Sequence, residues 1–250
     1  MLSSDKGAES LNAIRQIDPA ADTPFLVGCG VYALTTQGSY CYLIVGEQAA
    51  LVVDTGFGTV NVKELAESVT DKKLLLVNTH GHLDHIGCDE LFDSVYAHPM
   101  EAERIRRKNI SIVEVAEDFR FDLGGRTLEV LELPGHTPGS IGLLDRRNRI
   151  LFSGDMVGDR PLFLQFEYSS LNDYVQSMDK ILSLRDEVDY LFCCHGTAVM
   201  ALNQAEETGI LARKILSGTI APYEPVSLET EDGPYSVHLY KQGNAKIYYR

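Results

Sequence analysis

Between residues 79 and 87 the chain reads Thr79-His80-Gly81-His82-Leu83-Asp84-His85-Ile86-Gly87, entered from the apolar run LLLVNT at 74–79. Three imidazoles and a carboxylate fall within six residues. A loop that leaves a strand and enters a helix can aim several such side chains at one small volume, and the interspersed glycines free the backbone to do so. A lone histidine usually serves packing. Three of the chain's seven in one HxHxDH segment point to metal ligation instead.

Other segments supply further donors. Leu133-Pro134-Gly135-His136-Thr137-Pro138-Gly139 sets a histidine in a loop clamped by Pro and Gly. Phe152-Ser153-Gly154-Asp155 ends an apolar run on a carboxylate, and Cys193-Cys194-His195-Gly196 ends another on an imidazole. Five His and two Asp therefore lie just past strand ends, where sites form in layered α/β proteins.

The surrounding pattern predicts the frame. Residues 1–24 read as a polar lead-in of low order, and 25–250 as one domain. FLVGCGVYALTT, SYCYLIVGE and AALVVDTG alternate or run apolar, which predicts a meander. Apolar spacing predicts helices over 60–69, 171–184 and ALNQAEETGILARKILSG, and Pro99 opens a surface helix over 99–109. Hairpins are expected at FRFDLGGRTLEVLELPG, SIGLLDRRNRILFSGD and the terminal YSVHLYKQGNAKIYYR. Strand, helix, strand occurs in each half (LVVDTG to LLLVNTH, ILFSGD to VDYLFCCHG), so two α/β layers should pack sheet to sheet with helices outside.

Charge narrows the partners. With 36 Asp+Glu against 22 Lys+Arg the net charge is −14, which argues against a nucleic-acid partner. No apolar run approaches the roughly 18–20 residues of a bilayer span, and the start MLSSDKGAES lacks a signal-peptide core. Five scattered Cys without a CxxC fit reduced thiols, so a cytoplasmic setting is expected.

As a set and in this order, the HxHxDH segment, the PGHTPGS loop, the SGD strand end and the final strand-end His resemble the metallo-β-lactamase-fold hydrolases, over roughly Phe25 to Gly196. The resemblance implies a four-layer αβ/βα sandwich and a dinuclear metal site. His80, His82 and His136 would bind one ion; Asp84, His85 and His195 the other; Asp155 would bridge them. Asp54 of VVDTG would support the metal loop from behind. The family pattern often reads Pro-Gly-His-Gly at the last ligand, where this chain has Cys193-Cys194-His195-Gly196. Imidazole and carboxylate without thiolate suit two Zn²⁺, with Fe or Mn also compatible. Cys88 and Cys194, which adjoin ligands, read as packing residues.

The implied chemistry is hydrolysis by a hydroxide shared between two metals, with Asp84 orienting the nucleophile and taking its proton. The bridging Asp155 resembles the thioesterase and lactonase branches more than the β-lactamases. The expected substrate is a small-molecule ester, thioester or lactone; the alternative is a di-iron oxygen- or sulfur-handling member, or a phosphodiester-cleaving one. Against a glyoxalase II stands a tail of one helix and a hairpin, with Arg213 and Lys214 on the helix. Against an acyl-homoserine lactonase stands the lack of a Tyr within a few residues of Asp155. Phe163, Phe166 and Tyr168 read as core packing, with a substrate-pocket wall as the second reading. His98 should open a surface helix, Asp89 and Glu90 should favour a helix dipole, and His238 should be solvated. The acidic tract Glu224–Asp232 should be a solvated loop, and the YSVHLY edge is a candidate dimer contact.

Overall fold

The apolar runs that follow Phe25 become a sheet whose strands lie in sequence order: β1 (Phe25–Gly28), β2 (Val31–Thr36), β3 (Ser39–Val45), β4 (Ala49–Val53), β5 (Lys73–Val77), β6 (Ser94–Ala97) and β7 (Ser111–Glu114). The computed structural model describes residues 23–106 and 109–250, so all but the end of the expected lead-in lies outside the described residues. Pairing is antiparallel from β1 to β4 and parallel from β4 to β7. The switch follows from the connection. A parallel neighbour needs a crossover, and α1 (Val62–Val69) supplies it, capped by the Asn61 side chain, which accepts from Glu64 N at 3.1 Å, and burying Val62 and Ala66.

The second half repeats the device. Strands β8 (Arg120–Asp122), β9 (Thr127–Glu132), β10 (Ile141–Asp145) and β11 (Ile150–Gly154) are antiparallel neighbours. After β12 (Leu162–Phe163), helix α3 (Leu171–Ser183) crosses to β13 (Tyr190–Cys193), which pairs parallel with β11, and β14 (Val199–Ala201) closes that edge. The short α2 (Ala102–Arg106) precedes this half, and α4 (Asn203–Leu216) follows it.

The two sheets face each other across an apolar core. Tyr42, wholly buried, lies edge-on to Phe152 and Phe192 at 5.4 and 5.3 Å and donates its hydroxyl to the carbonyls of Cys193 and Ala198. One side chain thus pins β3 to the strand that ends at the last candidate ligand. α1 and α2 cover the outer face of the first sheet, α3 and α4 that of the second. This is the αβ/βα arrangement that the sequence led us to expect.

A third sheet was not expected. β15 (Glu224–Thr230), β16 (Gly233–Gln242) and β17 (Ala245–Tyr249) form a meander, and β17 recruits β12 in parallel. The tract Glu224–Asp232 is therefore a strand and a turn, not a solvated loop. YSVHLY belongs to β16, between β15 and β17: His238 and Leu239 pair on both sides, Tyr235–Val237 with β15 alone. The surface helix expected over 99–109 begins as a 3-10 turn, Pro99–Glu101, that runs into five-residue α2, and Glu101 is buried. Asp89 is fully buried and accepts from Thr55 Oγ1 at 2.7 Å, so it does more than face a helix dipole. His98 bonds Glu132 at 3.2 Å and His238 is half-buried on β16. Among the described residues no helix is long and apolar enough to cross a membrane.

Candidate metal centre

β4 ends beside β5, so Asp54 and the 78–87 loop emerge together. Asp54 sits at φ 63°, a left-handed conformation that Asp tolerates better than most residues. Its buried carboxylate accepts from Thr79 N at 2.7 Å and from Thr79 Oγ1 at 2.8 Å, and it lies 2.9 Å from His85 Nδ1. The Thr79 hydroxyl, its proton given to Asp54, then accepts from His80 Nδ1 at 3.1 Å. One carboxylate thereby fixes two imidazoles, turning His80 Nε2 and His85 Nε2 away from it.

Two glycines let the loops close. A Cβ on Gly87 would stand 2.0 Å from Gly58 N, and one on Gly154 would stand 2.9 Å from Thr79 Cβ. The first contact seats the 78–87 loop on the 56–58 turn; the second brings the end of β11, and with it Asp155, against Thr79. His136 comes from the loop between β9 and β10, where Thr137 and Ser140 hydroxyls bond at 2.7 Å, and its Nδ1 donates to Phe163 O at 2.6 Å. His195 follows β13, its Nδ1 donating to Gly38 O at 2.9 Å.

Seven side chains converge in two adjoining sets. His80 Nε2, His82 Nδ1 and His136 Nε2 lie 3.0–3.2 Å from one another. His195 Nε2 lies 3.0 Å from Asp84 Oδ2, and His85 Nε2 lies 3.5 Å from the same oxygen. Asp155 stands between the sets, with Oδ1 3.3–3.4 Å from His195 and His85 and Oδ2 3.7 Å from His136 Nε2.

These spacings fit divalent cations better than internal bonding. Tetrahedral Zn²⁺ with bonds of about 2.0–2.1 Å holds its nitrogens about 3.3 Å apart. Because His80 and His136 commit their Nδ1 protons elsewhere, the first set turns lone pairs toward one another. Among the described residues, His85 Nε2 and Asp155 Oδ1 are buried 3.4 Å apart with no hydrogen bond of good geometry. Buried groups of this kind normally find partners, so the donor set lacks a positive centre.

Electrostatics agree. Burial holds His80 and His82 well below the usual imidazole pKa, and His136 below it, which keeps them neutral. Burial alone would raise Asp84 and Asp155, yet the His85 and His195 imidazoles outweigh it and hold both carboxyls well below their ordinary range. Burial works against a His195 cation, but Asp155 and Asp84 push its pKa up to about 10. The second set thus attracts positive charge. Cys194 lies 3.5 Å from Asp54 as a thiol that burial pushes well above its usual pKa, grouped with Asp54 and His85, and Cys88 Sγ lies 3.1 Å from Val60 O.

A cavity of about 1120 Å³ opens over the centre, with Asp84, Asp155, His136 and His195 on its floor and Val157, Leu162, Phe163, Phe166 and Tyr248 on its walls. Phe163 and Phe166 line this cavity, where the sequence read core packing first. Tyr168 does not; it stands behind His82, its hydroxyl 2.8 Å from Nε2. Sequence reasoning missed three residues at the site. Glu101 accepts from Gly81 N at 3.0 Å and from Gly139 N at 2.9 Å, tying two ligand loops together. Glu231 accepts from Leu83 N at 2.9 Å, and Asp232 from Tyr168 at 2.7 Å. For the last two a signal was present: Asp232-Gly233 between the alternating runs of Val226, Leu228 and Tyr235, Val237 is a hairpin signature. Glu101 carried none.

Comparison with known proteins agrees with this geometry. The profile of the metallo-beta-lactamase superfamily matches residues 34–105 and 93–195. The acyl-coenzyme A thioesterase MBLAC2 of Homo sapiens is 32% identical over 188 residues, spanning 58% of this chain and 67% of that protein. The hydroxyacylglutathione hydrolase GloC of Haemophilus influenzae is 28% identical over 179 residues, spanning 60% and 82%. Among solved structures, a metallo-beta-lactamase from Pontibacter korlensis superposes with a TM-score of 0.67 at 20% identity, covering 76% of this chain and 98% of that one, a likeness of fold.

Proposed function

Because the chain belongs to the metallo-beta-lactamase superfamily, we propose that it is a metal-dependent hydrolase of small-molecule thioesters, holding two divalent cations, Zn²⁺ by preference. The observation that carries this reading is the convergence of seven imidazole and carboxylate groups on two adjoining points with Asp155 between them. His80, His82 and His136 would hold one cation, Asp84, His85 and His195 the other, and Asp155 both. When bound, such cations supply Lewis acidity to the substrate carbonyl and lower the pKa of water. Thioester chemistry is favoured by the two relatives whose names describe thioester hydrolysis.

The chain's own residues supply the rest. The apolar walls at Phe163, Phe166 and Leu162 suit an acyl group and exclude bulk water around it. Asp84, one-fifth exposed and lining the cavity, would orient the attacking water and accept its proton. The water oxygen bonds to the acyl carbon, the carbon–sulfur bond breaks, and the departing sulfur takes a proton. Arg160 is the one Lys or Arg among the described residues lining the cavity, and it suits a thioester whose thiol portion is anionic.

The test is metal content, measured by mass spectrometry, beside turnover of a panel of neutral and anionic thioesters, lactones, β-lactams and phosphodiesters. We expect about two metal ions per chain and a thioester preference, both lost in His80→Ala and Asp155→Ala. A metal-free purified protein, or turnover unchanged in those variants, would overturn the reading.

A further inference from the structure

The acidic turn between β15 and β16 reaches the metal loop from a part of the chain that the family profile does not match. Arg104 pairs with Glu231 at 2.8 Å and with Asp232 at 3.0 Å, and its guanidinium lies 4.5 Å over the Tyr168 ring. The Tyr168 hydroxyl donates to Asp232 Oδ2 at 2.7 Å and lies 2.8 Å from His82 Nε2. Phe166 stacks on Tyr168 at 5.1 Å, and Tyr235 of β16 meets Phe166 edge-on at 5.5 Å, so the phenol has little room to swing. Four segments distant in sequence meet in one row: Arg104, Asp232, Tyr168, His82.

Proton accounting along this row has one solution. The phenol carries one proton, and the carboxylate can only accept it. The hydroxyl lone pair then faces His82 Nε2, which must bear the imidazole proton, and Nδ1 is left as a lone pair 3.0 Å from both His80 Nε2 and His136 Nε2. His80 and His136 are fixed differently, through Thr79 with Asp54 and through the Phe163 carbonyl, all within the profile match.

We propose that Tyr168 and Asp232 are positioning residues that hold the His82 ring in its Nε2-protonated form, aimed at the first metal, so that the C-terminal hairpin completes this centre. The inference rests on the metal reading above. Outer partners of metal-bound histidines fix the tautomer and ring orientation, and their loss typically weakens binding about 10- to 100-fold.

The full chain is titrated with Zn²⁺ against a chromophoric chelator, as the natural sequence and as Tyr168→Phe, Asp232→Ala and Asp232→Asn. We expect one site to weaken about 10- to 100-fold in Tyr168→Phe and Asp232→Ala while the other holds, and Asp232→Asn, whose amide oxygen still accepts, to retain most of the affinity. Imidazole ¹⁵N shifts of the metal-free protein should report the Nε2-protonated form for His82, and a mixture in Tyr168→Phe. Binding of both ions by Tyr168→Phe within threefold of the natural protein would overturn the proposal. So would equal loss at both sites with a lowered unfolding midpoint, which marks a general structural role. Should the natural protein bind no Zn²⁺, the metal reading fails, and the ¹⁵N shifts alone decide the relay.

Discussion

Replacing Glu101 tests whether the ligand loops are held by acceptor count. Its two carboxylate oxygens serve the backbone N–H groups of Gly81 and Gly139, and all three residues are buried. Glu101→Ala leaves both donors without a partner, at about 1–3 kcal/mol each. Lost packing of the side-chain methylenes adds about 1 kcal/mol, and relief from burying a carboxylate offsets part of the sum. The net expectation is a loss of about 3–5 kcal/mol. Glu101→Gln keeps one acceptor and nearly the same volume but turns an NH₂ toward the second donor, so about 1–2 kcal/mol should be lost. Urea unfolding of the metal-free proteins, followed by far-ultraviolet circular dichroism, reads both numbers. A Glu101→Ala loss below about 1 kcal/mol would refute the reasoning, because two orphaned buried donors cannot cost so little.

Gly87→Ala should destabilise by about 3 kcal/mol or more, since its Cβ would meet backbone atoms of residues 56–58 that cannot swing aside; a shift in urea midpoint worth less than about 1 kcal/mol would contradict this. The metal-free protein should be most stable near pH 6.5, about where an unfolded imidazole titrates. Below it, unfolded His80, His82 and His136 gain protons that the fold refuses, so stability falls with pH; above it, stability lent by protonated His85 and His195 is lost as pH climbs toward 10. Urea midpoints that stay level from pH 5 to 9 would count against that balance.

The residues that converge at the candidate centre were legible because their signal is local: three His and an Asp crowd six positions, and Asp155 and His195 close apolar runs that could only be strands. The paired strand–helix–strand units were legible for the same reason, since each carries its period within a dozen or so residues. What escaped notice depends on partners far away. Glu101 looks like any acid in a first helical turn, and only the approach of Gly81 and Gly139 gives it a task. The tract 224–232 was misread because its acidity outweighed the alternation of Val226, Leu228 and Thr230, a period-two pattern exposed on one side. The fixing of His82 by Tyr168 joins positions 86 residues apart, a distance no local pattern spans.

Asp155 and His195 hang from the second sheet, the 80–85 loop from the first. Cation capture is therefore felt along the seam where the two halves meet, much as a rivet is felt by both plates it joins. At a free concentration one hundred times its dissociation constant, one ion contributes about 2.7 kcal/mol that neither half can collect alone. Loading should weld two separately patterned half-structures into a single unit of unfolding, and stripping should let their edges loosen first.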